Sequence, residues 1–289
     1  MKELAKTIVF GNFWIALSAS SLGMASTAML LSGSDSLDIT LEGPIKYGIF
    51  LFFSTMLTYN AMRLKAISSG SSTTEGEMRQ WVRKYQGFTK ISMAVSLLIV
   101  GFLALQLKWQ SIAVLAGTGI LSLAYFIPVL PGEKDRSGLR TIAYLKTILV
   151  AIVWTMSCAV VPWIEFGSND NPIMLFVFVF LYILGLTVIF DIRDIEYDKE
   201  EGVKTLASKK GISITRRVSI ICLVLAFIVL VFFPGLPADD SIILSLILSL
   251  IITLVVVWKT DEGRPELWYT GLIDGLITLT SILVIHSLL

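Results

Sequence analysis

The chain has 289 residues, of which 55% are hydrophobic and only 16% charged, and its mean hydropathy is +0.80. An ordinary soluble domain carries roughly 25% charged residues, so the composition excludes a disordered chain, a nucleic-acid-binding domain and most soluble enzymes. Lys and Arg number 23 against 22 Asp and Glu, and the resulting net charge of +1 offers no footprint for a polyanion.

A helix needs about 20 apolar residues to cross a bilayer. Stretches free of Asp, Glu, Lys and Arg run over residues 7–34, 47–62, 91–107, 109–132, 147–164, 171–190, 218–238, 241–258 and 275–289. Flanking residues bring the shorter ones to spanning length: 47–62 through Arg63 toward Ile67, 147–164 back through Lys146 to Leu139, and 275–289 back through Asp274 to Glu266. The pattern predicts an all-α polytopic membrane protein with nine transmembrane helices. The first stretch is longer than the apolar core of a signal peptide and has no isolated cleavage site, so it reads as a retained helix. Cys158 and Cys222 fall inside predicted spans as small packing residues, and a lone His286 makes neither a zinc site nor a catalytic triad.

The loops alternate in charge along the chain. The N-terminus carries Lys2 and Lys6, whereas residues 32–43 carry Asp35, Asp38 and Glu42 and no base. Residues 63–90 carry Arg63, Lys65, Arg79, Arg83, Lys84 and Lys90, and the next turn has Lys108 alone. Lys134, Arg136 and Arg140 follow, then the acidic turn with Glu165 and Asp170. Residues 191–217 are again basic, residues 234–240 hold only Asp239 and Asp240, and Lys259 and Arg264 precede the last span. Nearly all bases thus fall on one side, which the positive-inside rule makes cytoplasmic together with the N-terminus; the C-terminus lies opposite. The whole chain, 1–289, reads as one transmembrane domain with cytoplasmic loops 68–87, 131–140 and 191–213. The two most charged loops are four helices apart, which suggests two four-helix units plus a ninth helix.

The sixth predicted helix ends in Phe190-Asp191-Ile192-Arg193-Asp194-Ile195-Glu196-Tyr197-Asp198, followed by Gly202 and Thr205. Asp191, Asp194 and Asp198 fall within about a 60° arc of a helix. Three carboxylates on one face repel one another and call for a positive partner. A hard cation such as Mg2+, bridging carboxylates to a substrate phosphate, is one such partner. Arg193, Lys199 and Lys204, as ion-pair partners on a solvated helix end, are the other.

The pattern DxxDxxxDxxxGxxT, here Asp191, Asp194, Asp198, Gly202 and Thr205, resembles the second aspartate-rich motif of the UbiA superfamily of intramembrane prenyltransferases. That family has nine transmembrane helices and carries the motif in its helix 6–7 loop, where it stands in this chain. The resemblance implies Mg2+ as cofactor, held by Asp191, Asp194 and Asp198, and an isoprenoid diphosphate bound in a cavity open to the membrane. Ionisation leaves an allylic cation that a small, usually aromatic acceptor attacks. The leaving charge must be neutralised and water kept out. Tyr59, Tyr125, Tyr144, Trp154 and Tyr182 are candidate π faces for the cation. The family often has Pro two residues after the Thr; here it is Ala207.

The family's first motif, NxxxDxxxD at the end of helix 2, is degenerate. Asn60 keeps the first position, but Leu64 and Ser68 stand where the two aspartates belong, and Arg63 and Lys65 lie beside them. Arg63, one turn from Asn60, is a candidate to replace part of the missing metal charge, since a guanidinium binds phosphate through two bonds. The competing reading is a cytoplasmic flanking charge. The diphosphate ligands implied are Asn60, Arg63, Lys134, Arg136, Arg140 and Lys146, with Asn12 and Tyr125 as further substrate contacts. Lys146, several residues into its span, either reaches the diphosphate or snorkels to the surface. Asp274 pairs with Lys146, stabilises the cation or takes the acceptor's proton. Asn12 contacts the diphosphate or joins helices. The expected function is prenyl transfer to an aromatic or quinone-precursor acceptor within the lipid bilayer, with an intramembrane terpene cyclase or a non-catalytic isoprenoid-binding protein as alternatives.

Overall fold

The structure is a computed structural model that describes residues 2–32, 42–68, 77–126, 144–167, 172–200, 203–233 and 240–288. Among these residues all regular structure is helical. Seven helical segments are long and apolar enough to cross a membrane: Phe13–Leu31, Gln86–Ala104, Leu145–Phe166, Ile173–Arg193, Ile212–Val231, Asp240–Trp258 and Trp268–Leu288. Two more complete the expected pattern. Glu42–Ser68 is the longest helix, with Lys46, Arg63 and Lys65 toward its ends, and Trp109–Phe126 is a shorter apolar one.

In chain order the helices are α1 (Lys2–Phe10), α2 (Phe13–Leu31), α3 (Glu42–Ser68), α4 (Glu77–Lys84), α5 (Gln86–Ala104) and α6 (Trp109–Phe126). There follow α7 (Leu145–Thr155), a π-helical stretch Met156–Val160, α8 (Val161–Phe166), α9 (Ile173–Arg193), α10 (Ile195–Glu200) and α11 (Leu206–Lys210). The last are α12 (Ile212–Val231), α13 (Asp240–Trp258), a π-helical stretch Trp268–Ile273 and α14 (Asp274–Leu288).

The first apolar stretch is not one helix. Asn12 adopts a left-handed conformation with φ 67°, which separates α1 from α2. Asn tolerates this region better than most side chains because its short amide bonds locally. The Asn12 side chain is fully buried, and its Nδ2 donates to Asn60 Oδ1 on α3 at 2.7 Å. The break therefore turns a helix-initiating amide inward as an interhelical tie.

Apolar burial alone does not hold helices together in lipid, so small residues and hydroxyls carry much of the specificity. A Cβ on Gly185 of α9 would stand 2.8 Å from Leu223 Cγ on α12, so the glycine permits their close approach. Ser219 Oγ of α12 donates to the Gly185 carbonyl at 2.7 Å. Tyr182, wholly buried on α9, donates to the Leu276 carbonyl at 3.0 Å and shares a 2.9 Å bond with Thr280 of α14. Ser18 of α2 bonds Thr278 and the Asp274 carbonyl at 3.0 and 2.9 Å. On the outside, α5 and α6 present Leu98, Phe102, Ile120 and Leu123, all well exposed, as expected of helices against lipid tails. Lys108, in the turn between them, donates through Nζ to the Ile164 and Glu165 carbonyls at the end of α8, where a cation suits the free carbonyls.

Candidate active site

A cavity of about 390 Å³ lies inside the bundle, and its lining divides into two parts. One part is apolar, with Ile15, Leu149, Val150, Val153, Ile183, Leu186 and Ile277 among its walls. The other is charged, with Arg63, Lys146, Asp191, Arg193, Asp194 and Asp274. The charges come from four helix ends: the last turns of α3 and α9, the first turn of α7, and the junction between the second π-helical stretch and α14. Antiparallel neighbours of alternating direction bring these four ends and their six charges together, although they are far apart in sequence.

The three aspartates meet around one ammonium. Lys146 Nζ lies 3.5 Å from Asp191, 3.0 Å from Asp194 and 3.2 Å from Asp198. Helix α9 ends at Arg193, and Asp194 begins a break before α10. The Asp198 amide still donates to the Asp194 carbonyl at 2.7 Å, which keeps the third carboxylate on the same side. The Thr at the end of the motif has a structural duty: Thr205 caps α11, accepting from the Ser208 amide while Ser208 Oγ accepts from the Thr205 amide. Gly202 lies outside the described residues.

Arg193 binds Asp194 as a fork, Nε to Oδ1 at 2.7 Å and Nη2 to Oδ2 at 3.3 Å. Its guanidinium also lies 5.1 Å from the Phe190 ring centre and 6.0 Å from that of Tyr269. Burial works to raise Asp194, but the Arg193 guanidinium and then the Lys146 ammonium outweigh it and hold this carboxyl below the ordinary range. Burial pushes Asp198 up from the ordinary 3.8, against the pull of Lys146.

The remaining expected residues fall in different places. Arg63 lines the cavity, and its Nη1 donates to the Phe10 carbonyl at the end of α1. Asn60 and Asn12 are bonded to each other, Asn60 also reaches Ser92 Oγ at 3.4 Å, and neither lines the cavity. Asp274 lines it from the α14 side and is 8% exposed. The described ion pairs of Lys146 go to the aspartate cluster. Of the aromatic candidates, Tyr59 and Trp154 face the cavity, Tyr182 packs against Phe178 and Phe227, and Tyr144 stands outside. Tyr125 belongs to the last turn of α6, and its side chain lies outside the described ones; Lys134, Arg136 and Arg140 lie outside the described residues altogether. Sequence reasoning missed Arg193 and Thr270 as cavity residues. Arg193 sits between two motif aspartates, and Thr270 is one helical turn before Asp274, so helical spacing was the available signal.

As placed, no three His, Cys, Asp or Glu side chains among the described residues close on a common point as ready metal ligands. The donor set nevertheless fits a hard divalent cation. It consists of three carboxylates around a position already held by a positive charge, and Asp191 Oδ1 is buried without a hydrogen-bond donor. 

No curated protein matches the chain. Among solved structures, one of digeranylgeranylglyceryl phosphate synthase superposes with a TM-score of 0.58 at 14% identity, covering 100% of this chain and 98% of the other. A UbiA homolog from Archaeoglobus fulgidus bound to DMAPP and Mg2+ gives a TM-score of 0.57 at 13% identity, covering 96% of this chain and 99% of that one. The same homolog bound to GPP and Mg2+ gives 0.54 at 13% identity over the same shares. At these identities the likeness is one of fold. The sequence profile of the UbiA prenyltransferase family matches residues 86–274, which include the aspartate cluster and Asp274, and the chain therefore belongs to the UbiA prenyltransferase family.

Proposed function

We propose that the protein is an intramembrane prenyltransferase that binds an isoprenoid diphosphate with Mg2+ and transfers the prenyl group to a small aromatic or quinone-precursor acceptor. The observation that carries this reading is a cavity with a charged mouth and an apolar interior, in a chain of this family. The solved homolog with DMAPP or GPP and Mg2+ supports it. Its volume falls in the range of small-molecule sites, roughly 300–1,000 Å³.

Asp191, Asp194 and Asp198 are the residues that hold the metal. Bound there, Mg2+ supplies positive charge to the departing diphosphate. Arg63, Arg193 and Lys146 donate N–H bonds to the phosphate oxygens, and the charge of the two guanidinium groups persists at any working pH. The prenyl chain lies along Leu149, Val150, Val153, Ile183 and Leu186, where no water competes for the allylic cation. The bond between the prenyl C1 and the diphosphate oxygen breaks, a bond from the acceptor to C1 forms, and Asp274 takes the proton the acceptor loses. Trp154 and Tyr59 offer ring faces to the cation.

We further propose that the N-terminus and the charged mouth face the cytoplasm and that the C-terminus lies on the other side, with the whole chain acting as one domain. Basic residues on the mouth side support this orientation. Labelling of single cysteines placed at Lys2 and at Leu289 in intact cells checks it.

The function is tested by pyrophosphate release from C10–C40 prenyl diphosphates, with and without Mg2+. Release that depends on Mg2+ and an acceptor supports transfer. Release with a cyclised product and no acceptor makes the protein an intramembrane terpene cyclase instead. No release across the panel removes both enzyme readings.

A further inference from the structure

Two nearly wholly buried carboxylates and a third beside them repel one another when ionised, and a cation among them offsets that repulsion. In this chain the cation is part of the protein. Lys146 is second in α7, whose entry is anchored: Tyr144 has φ 63°, and its amide donates to the Lys204 carbonyl at 3.0 Å. The backbone below the ammonium is thus fixed to the segment that follows the aspartates. The four-carbon stem above it carries a compact point charge on rotatable bonds. The same side chain lines the cavity beside Arg63 and Arg193. The ammonium accordingly has two places to go, the aspartate cluster and the anion-binding mouth. Arg193 lacks that freedom, being forked onto Asp194 and held against Phe190 and Tyr269.

We propose that Lys146 is a resident counter-ion of the aspartate cluster that competes with a divalent cation for the three carboxylates and, once displaced, turns to the diphosphate. This rests on the reading that the cluster is the metal site. Metal and diphosphate binding are then coupled through one side chain. Alone, the metal must displace the ammonium toward the Arg63 and Arg193 guanidinium groups, which repel it. With an anion in the mouth, the ammonium has a partner there. Coupling between two ligands is reciprocal, so each tightens the other.

The test is Mn2+ titration by electron paramagnetic resonance of the purified full-length protein in lipid nanodiscs, with and without inorganic pyrophosphate. Wild type is expected to bind Mn2+ weakly alone and about tenfold or more tighter with pyrophosphate. Lys146→Gln is expected to bind Mn2+ alone about tenfold tighter than wild type and to lose most of the pyrophosphate effect. Lys146→Arg, which keeps the charge, stays weak without pyrophosphate. Thermal unfolding reads the same competition independently: Mg2+ raises the Tm of Lys146→Gln more than that of wild type. Equal or weaker Mn2+ binding by Lys146→Gln overturns the proposal; if wild type still binds Mn2+ with pyrophosphate and Asp191→Asn does not, the metal site itself stands. Absence of Mn2+ binding in every variant and condition overturns both. Should Lys146→Gln fold only in Mg2+, the metal has replaced the missing ammonium, as expected. Should it fold in neither condition, wild type decides: Mn2+ affinity indifferent to pyrophosphate overturns the proposal.

Discussion

Replacing Arg63 by Ala separates two consequences that the structure assigns to one guanidinium. Nη1 donates to the Phe10 carbonyl, which ends α1 and has no further helical turn to bond it, while the group as a whole faces the cavity. Losing the first bond leaves a partly buried carbonyl unmatched, a cost of about 1–3 kcal/mol in stability. Losing the second removes a charge-assisted bond to the diphosphate. Such bonds contribute about 1.5–3 kcal/mol, or roughly 10- to 150-fold in Kd. Arg63→Lys restores the charge but not the fork, so its affinity should fall between the two. Calorimetric titration of a non-hydrolysable prenyl diphosphate analogue into nanodisc-embedded protein, with Mg2+ present, measures the binding effect. Thermal unfolding measures the other. Diphosphate affinity unchanged within twofold in folded Arg63→Ala would refute the reasoning, and would leave Arg63 as a clamp on the end of α1.

Three further outcomes follow from the same geometry. Asn12→Ala loses the 2.7 Å bond to Asn60 and puts a Cβ-bearing residue without a bonding amide at φ 67°, and should destabilise the protein by about 2–4 kcal/mol; Asn12→Gly relieves the backbone and should cost about 1–3 kcal/mol, as read from chemical unfolding in detergent. Asp274→Asn should retain pyrophosphate release yet lower acceptor-coupled product about 10²–10⁴-fold, as separate measurement of the two products will show. Because burial raises Asp198 above the ordinary 3.8, its proton leaves at higher pH than that of an ordinary carboxyl. Mn2+ affinity should therefore keep rising with pH after an ordinary carboxylate is fully ionised. That upper limb should vanish in Asp198→Asn.

The spans were legible because lipid demands long apolar helices and leaves few alternatives for them. Their seams were less so. Gly11-Asn12 sits within an apolar run, and only the burial of its amide against Asn60 explains a turn there. The π-helical stretches Met156–Val160 and Trp268–Ile273 have no periodic signature of their own. The second exposes the Gly271 carbonyl to Trp14 Nε1, at 2.7 Å, a contact between residues at opposite ends of the chain. At the site, the i, i+3, i+7 spacing brought Asp191, Asp194 and Asp198 to one face despite the break at Asp194. Spacing says nothing about a partner 45 or more residues away, so Lys146 was readable as a charge within a span but not as the ion at the centre of the cluster. Asn60 shows the opposite hazard. It holds a motif position, yet its hydrogen bonds go to Asn12 and Ser92.

The central claim is that a charged mouth over an apolar cavity ionises isoprenoid diphosphates. Mg2+-dependent pyrophosphate release, measured across C10–C40 prenyl diphosphates with wild type and Asp191→Asn in nanodiscs, tests it most directly. The expected result is release by wild type that stops without Mg2+ and in Asp191→Asn. Release that survives Asp191→Asn undiminished, or no release from any substrate by folded wild type, would contradict it.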